Sequence, residues 1–316
     1  MIPRRTVPGG PRFLPWCLCS MQRAARCRTG WGAALERGQA QQSHIIDVAA
    51  PNLPRMNNYL LGGKDHYPAD RRACEQLLRI VPQARDVAQA AHRFLLRATS
   101  HLVREHRIRQ FLVFGAGLPT RIGVHQIAQS INARCRVVYA DNDPLVLTHA
   151  RALWEQPRRT LVLQAGPEQA PELLLDPAAG VVIDLALPLA VLFVSALQTI
   201  PAHAGPQEVL ERTAGMLAPG SLVAASHLVS EDPDVQQEAG ALLREAAGGR
   251  WGQVRSRDEV EPLFRSLRPV APGLVEVSRW RPSGDRTAGG DRRWAEYGGV
   301  AMVQPGDVPE GAWLFS

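Results

Sequence analysis

Arg109-Gln-Phe-Leu-Val-Phe-Gly-Ala-Gly-Leu-Pro-Thr120, answered by Val137-Val-Tyr-Ala-Asp-Asn-Asp-Pro144, decides how this chain folds. The first stretch is an apolar, β-branched and aromatic run ending in Gly115-Ala116-Gly117, with Pro119 placed to open a helix, since proline's missing N–H costs nothing at the first helical position. The second is another apolar run that ends on a carboxylate, Asp141. Gly115 and Asp141 are 26 positions apart (141 − 115). That is close to the roughly 20 by which nucleotide-binding α/β proteins set an acid against a ribose hydroxyl. A strand, a glycine turn, a helix and a second strand ending in an acid predict half of a nucleoside-binding site.

Composition narrows the class. Hydrophobic residues make up 45% of 316, enough for a buried sheet, and no apolar run reaches the roughly 20 residues of a membrane span. The formal charge of +6 invites a nucleic-acid reading until it is located. Residues 1–42 hold seven arginines and one acid, Glu36, which accounts for 7 − 1 = +6, so the other 274 residues are neutral overall. No nucleic-acid partner is expected. Arg4-Arg5 ahead of 13–19 resembles an export signal only weakly, because Pro11 and Pro15 break its apolar stretch. Segment 1–42 is rich in Arg, Gly and Pro without periodicity and is expected to be a disordered basic extension. The five cysteines are odd in number, and Cys17-x-Cys19 lacks the spacing and partner pair of a zinc site. No metal is expected, and reduced thiols imply a cytoplasmic protein.

From His44 the texture changes. In 52–70, Pro54 opens a short helix that Gly62-Gly63 ends, and Lys64 follows as the only lysine among 36 basic side chains. Lys64 reads either as a cation near the carbonyl end of a helix or, with Asp65 and His66, as part of a glycine-hinged loop facing a ligand. Two helices follow, over 72–80 and 84–103, with His92, His101 and His106 expected on their surface. The α/β core is expected from 108. Its strands are placed at 111–114, 136–140, 160–165, 190–196 and 222–226, and its helices at 119–131, 144–154 and 208–217. Helices over 234–247 and 257–267 come next, then strands at 274–280 and 297–303 around a charged loop at 282–293. Alternating strands and helices imply a mostly parallel sheet covered on both faces. Ligands of such sheets gather at the carboxyl ends of the strands.

Asn58-Tyr-Leu-Leu-Gly-Gly-Lys-Asp-His-Tyr, Phe111-x-x-Phe-Gly-x-Gly-Leu-Pro-Thr, Val137-Val-Tyr-x-Asp-Asn-Asp-Pro, Leu217-Ala-Pro-Gly-Ser and Pro272-Gly-Leu-Val together resemble the actinobacterial S-adenosyl methyltransferase family, once a domain of unknown function. The resemblance runs in unbroken order over roughly residues 45 to 303, and its YLLGGKD stretch is specific to that family. It implies a Rossmann-like class I methyltransferase sheet of seven strands, the last antiparallel, under an N-terminal helical cap. It implies S-adenosylmethionine as cofactor. Gly115, Ala116 and Gly117 would approach its methionine moiety, Asp141 would accept from both ribose hydroxyls, and Asn142 would flank the adenine. Tyr59, Gly63, Lys64 and Asp65 would close over it from the N-terminal segment, with Gly166 and Ser195 at the ends of neighbouring strands. His227 and His66 are the candidate bases. The implied layout is an extension (1–42), a helical cap (43–107), a cofactor-binding core (108–303) and a tail (304–316).

Departures from the family pattern accompany the match. Members usually carry an acid where this chain has Val113, Thr where it has Ala116, Asp-Leu-Arg-Asp where it reads Gly166-Pro-Glu-Gln169, and His where it has Gln198. Three readings follow. A small-molecule methyltransferase, acting in secondary metabolism, fits the neutral fold. A degenerate, non-catalytic member binding a ligand or partner fits the lost acids. A nicotinamide oxidoreductase is disfavoured, because Gly-x-Gly-x-x-Thr lacks the third small residue of that fingerprint.

Overall fold

The computed structural model describes residues 46–119, 122–249, 251–282 and 293–304, so the expectations for 1–42, for most of the 282–293 loop and for nearly all of the tail lie outside the described residues. Residues 47 onward form one compact unit. Among the described residues three helices come first: α1 (Leu53–Leu60), α2 (Pro68–Ile80) and α3 (Ala84–Arg104). The core then alternates β1 (Gln110–Phe114), α4 (Val124–Ile131), β2 (Arg136–Asp141), α5 (Pro144–Trp154), β3 (Thr160–Gln164), α6 (Ala170–Leu174), β4 (Ala190–Phe193), α7 (Pro206–Gly215) and β5 (Leu222–Val229). It closes with α8 (Pro233–Ala246), α9 (Arg257–Val260), β6 (Leu267–Pro269), β7 (Val275–Glu276) and β8 (Ala295–Val303).

The sheet runs β3-β2-β1-β4-β5-β8-β6, with β7 also paired to β8. Strands β1 to β5 are parallel, and β8 is antiparallel to β5, β6 and β7. The mixed α/β sheet matches the expected class, but among the described residues it has eight strands rather than seven. The expected strand over 274–280 survives only as β7, because Val277–Arg279 coils into a 3₁₀ turn whose Val277 and Trp280 carbonyls accept from the Arg97 guanidinium at 2.6 and 3.0 Å. The expected helix over 257–267 stops after one turn, where Pro262 cannot donate an N–H, and the chain goes on into β6. Pro119 does not open α4, which begins after Gly123. Strand β5 is longer than expected, since β8 pairs with it residue for residue from Leu222 to Val229. Gly298 of β8 permits that contact, because a side chain there would overlap the Ala225 carbonyl.

Two apolar layers cover the sheet. On one face Phe94, Ala98 and Leu102 of α3 pack with Phe111, Val113, Tyr139, Leu192 and Trp280; on the other Phe114 stacks on Phe193 over Leu173, Leu210 and Phe264. His101 is not a surface residue as expected: it is buried edge-on to Trp280, and burial lowers its pKa to about 4. A third cluster joins Met56, Leu60, Cys74 and Leu77 of α1 and α2 to Val235, Ala239 and Leu243 of α8. The N-terminal helices therefore bury their apolar stripes against an element some 160 residues further along (235 − 74 = 161).

A buried ion pair fixes the geometry of α1 and α2. The Arg55 guanidinium lies 3.0 Å from the Asp70 carboxylate, with side chains 3% and 0% exposed. Each partner is also bonded to backbone groups. Arg55 also donates to the carbonyls of Asp47 and Ala50, while Asp70 accepts the N–H groups of Asn52 at 2.9 Å and Tyr67 at 2.7 Å. The Tyr67 bond explains why α2 starts at Pro68, ahead of the expected 72.

Breaking a buried pair by removing one partner leaves the other charge uncompensated, a loss of about 3 to 5 kcal/mol. Urea denaturation of Asp70→Asn and Arg55→Met should each show a loss of that size, with a double variant far less destabilised than the sum. Additive losses in the double-variant cycle would contradict this reading.

Candidate functional site

The parallel strand order reverses between β1 and β4, and the carboxyl ends of these strands are where α/β sheets bind ligands. Gly115 (φ +67°) and Gly117 (φ +65°) follow β1 in the left-handed region that favours glycine. A side chain at Gly115 would also press on Ala196 beyond β4, so the turn favours glycine there both for its φ and for the space. Ala116 is half-buried beside it, and its N–H points back to the Ala140 carbonyl at 3.4 Å.

Asp141 ends β2 with its carboxylate buried. Its Oδ2 accepts the Gly117 N–H at 3.0 Å and its Oδ1 the Asp143 N–H at 2.9 Å. The acid that the spacing predicted thus holds the glycine turn directly. Burial raises its pKa to about 6, against the pull of those two N–H groups. A carboxylate offers about four acceptor positions, so capacity remains for a diol. Asn142 next to it is exposed.

Asp143 carries the site to the N-terminal segment. Its Oδ1 caps α5 through Leu145 and Val146, while its Oδ2 accepts the Asn52 side-chain amide at 2.7 Å. Asn52 caps α1 and also donates its own N–H to Asp70. A continuous hydrogen-bonded line runs from the Arg55–Asp70 pair through Asn52, Asp143 and Asp141 to Gly117. Sequence reasoning missed Asn52, Arg55, Asp70 and the role of Asp143. The Asn-x-Pro and Asp-Pro helix starts were visible signals, but their side-chain partners are distant in sequence.

The loop after α1 is built on Asn58, which was also missed. Its buried amide oxygen accepts the Asp65 N–H at 2.9 Å, and the side chain lies so close to Gly63 that a Cβ at that position would overlap it. Arg85 donates to the Tyr59 and Leu60 carbonyls and stands over the Tyr59 ring, and His66 meets that ring edge-on at 5.0 Å. Lys64 and Asp65 are exposed on this loop.

The strand-end residues on the other side are arranged differently. Gly166 is buried, with the Glu168 carboxylate folded back against it where a side chain at 166 would lie. Val113 is core, between Tyr139 and Leu192. Ser195 follows β4 with φ +54° and donates its hydroxyl to Glu296 at 2.8 Å. His227 is enclosed: Arg255 donates to Nε2 at 2.6 Å, the Leu228 carbonyl accepts from Nδ1 at 2.7 Å, and burial lowers the pKa to about 3. With both nitrogens engaged, the imidazole has no open position for a substrate proton. Among the described residues no cluster of His, Cys, Asp or Glu could hold a metal ion, and no helix is long and apolar enough to cross a membrane.

Comparison with known proteins bears on the family and the fold. The profile of the S-adenosyl methyltransferase family matches residues 39–304. A DUF574 family protein from Streptomyces avermitilis MA-4680 is 34% identical over 82% of this chain and 100% of its own, with a TM-score of 0.75. An inferred methyltransferase from Thermobifida fusca YX is 32% identical over 82% of this chain and 97% of its own, also with a TM-score of 0.75. No curated protein matches the sequence. With a profile that spans most of the chain and two structural relatives above 30% identity, the chain belongs to the S-adenosyl methyltransferase family.

Proposed function

We propose that this protein binds S-adenosylmethionine at the ends of β1 and β2 and transfers its methyl group to a small-molecule acceptor. The observation that carries the reading is the Asp141 carboxylate, buried, bonded to Gly117, and with acceptor capacity left beside a glycine-flanked turn. Those features suit a group that presents a ribose diol and a flexible amino-acid tail. When bound, S-adenosylmethionine supplies a methyl carbon on a positively charged sulfur, and the carbon–sulfur electron pair stays with sulfur as the methyl leaves.

The residues of the chain bind and orient. Asp141 accepts from the diol, Gly115, Ala116 and Gly117 give backbone access to the tail, and Asn142 and Gly166 flank the base. Glu168, folded against Gly166, puts a carboxylate where the family pattern has an acid a short way earlier. Tyr59, Gly63, Lys64 and Asp65 form the covering loop, and His66 lies beneath it on the Tyr59 ring. The helical cap and the core act as one binding unit, tied through Asn52 and Asp143. Alignment of the acceptor with the methyl is the main catalytic contribution. The neutral core supports a small molecule rather than a nucleic acid, and its surroundings are proposed to be cytoplasmic.

Titration calorimetry tests the cofactor. S-adenosylhomocysteine should bind, and Asp141→Asn should weaken it by about ten- to hundredfold through the lost charge-assisted bonds. Heat with NAD and none with either adenosyl compound would overturn the reading.

The raised Asp141 pKa adds a pH signature. The carboxyl is neutral below about 6 and charged above it. Affinity for S-adenosylhomocysteine should therefore be full above neutrality and fall as pH drops through 6, a dependence that Asp141→Asn abolishes. A flat profile in the parent protein would contradict the assignment.

A further inference from the structure

One buried acid of the sheet is left without a part in cofactor binding. Glu296, at the start of β8, is 2% exposed and pairs in register with Leu228 of β5. Ser226 lies on the same face, two residues before Leu228. Its hydroxyl donates to Glu296 Oε1 at 2.7 Å, and the Ser195 hydroxyl donates to the same oxygen at 2.8 Å. The Ser195 N–H closes the ring by donating to Ser226 Oγ at 3.0 Å. Two hydroxyls, one from within β5 and one from just beyond β4, thus converge on one oxygen of a buried carboxylate, and a backbone N–H holds one of them in place.

Ser195 links this cluster to the outside. It is exposed at the end of β4, across the strand-order reversal from Gly115, and its φ of +54° is a backbone conformation that side chains rarely adopt. Strain of that kind gathers where a side chain must be aimed. Leu228 and Trp294, flanking Glu296 on its own face, pack into the cluster built by α1, α2 and α8. The cluster therefore lies between the sheet and the N-terminal helices. The charged groups of this edge are on the other face: Arg255 on His227, and Glu261 and Arg257 around Tyr297. None of them acts on Glu296. Burial alone raises its pKa to about 7, partly offset by the serine hydroxyls.

We propose that Ser195 and Glu296 form the proton-accepting site for the methyl acceptor, which is then an O–H or N–H nucleophile. The proposal rests on the methyl-transfer reading above. As the acceptor's lone pair becomes its bond to the methyl carbon, its proton passes to Ser195 Oγ. The proton of Ser195 passes in turn to Glu296 Oε1. The carboxylate ends neutral while the positive charge on sulfur is lost, so charge and protons balance. Ser195 is the catalytic residue, touching the acceptor, and Glu296 acts through it as a positioning residue and proton store. Sulfur or carboxylate acceptors without a proton to lose would have no use for such a pair.

The test uses the full chain and the variants Ser195→Ala, Ser195→Gly and Glu296→Gln. Gly suits the positive φ at 195, so that variant separates loss of the hydroxyl from misfolding. S-adenosylhomocysteine should bind the parent and Glu296→Gln within about threefold of each other; failure of the parent to bind it would sink the cofactor reading instead, before the proton site is reached. Infrared titration of protein carrying labelled glutamate should show one carboxyl changing state near pH 7. That signal should vanish in Glu296→Gln and move upward in both Ser195 variants. With catechol and benzylamine as O–H and N–H probes, methyl transfer in the parent should rise through the same pH. Each variant should lower kcat by about a hundredfold, and Glu296→Gln should do so with little change in KM for the methyl donor. A glutamate signal that ignores Ser195, unchanged kcat in Ser195→Gly, or a parent that binds S-adenosylhomocysteine yet methylates neither probe would overturn the proposal.

Discussion

Asp141 accepting the N–H of Gly117 and the N–H of Asp143 is the contact on which the site is built. One carboxylate ties the turn after β1 to the end of β2. Because it is buried, it holds these donors in a medium where each bond counts for more than it would in water. The desolvation that strengthens the bonds also raises the acid's pKa towards neutrality. The group is therefore held ready for hydroxyl donors but is not fully satisfied by its own backbone. A side chain at 115, a shift of β2, or a neutral residue at 141 would each disturb the same few atoms.

The N-terminal helices are joined to that carboxylate by polar contacts as well as by packing. Apolar burial among α1, α2 and α8 supplies adhesion without direction. Direction comes from the buried Arg55–Asp70 pair and from Asn52, which reaches Asp143 across 91 residues of sequence. A buried ion pair contributes little net stability compared with an apolar pair of similar volume. Here both charges also satisfy backbone groups of the Asp47–Asn52 segment and the Tyr67 N–H, which apolar side chains could not do. The segment's path, and with it the position of the loop at Gly62 and Gly63, depends on these bonds.

Much of the fold was legible because strands β1 to β5 announce themselves as apolar runs, the first two closed by Gly115 and Asp141, and parallel pairing follows from the helices between them. The glycine turn and Asp141 were legible for the same reason: their spacing is local and their chemistry is residue-specific. What was not legible depends on long-range contact. The 3₁₀ turn at Val277–Arg279 is shaped by Arg97, a residue some 180 positions earlier (277 − 97). His227 looked like a base at a strand end, but only the fold reveals Arg255 against its ring. Glu296 sits in Ala-Glu-Tyr-Gly-Gly-Val-Ala-Met-Val, where a lone acid in an apolar strand was the available signal, and its serine partners lie 70 and 101 residues away.

Amide hydrogen exchange with and without S-adenosylhomocysteine tests most directly the claim that cap and nucleoside site are one hydrogen-bonded unit. The account predicts that the ligand slows exchange at Gly117 and Asp143 and also at Asn52 and Tyr67, and that Asn52→Ala confines the effect to the first two. Protection limited to Gly117 and Asp143 in the parent protein would contradict it.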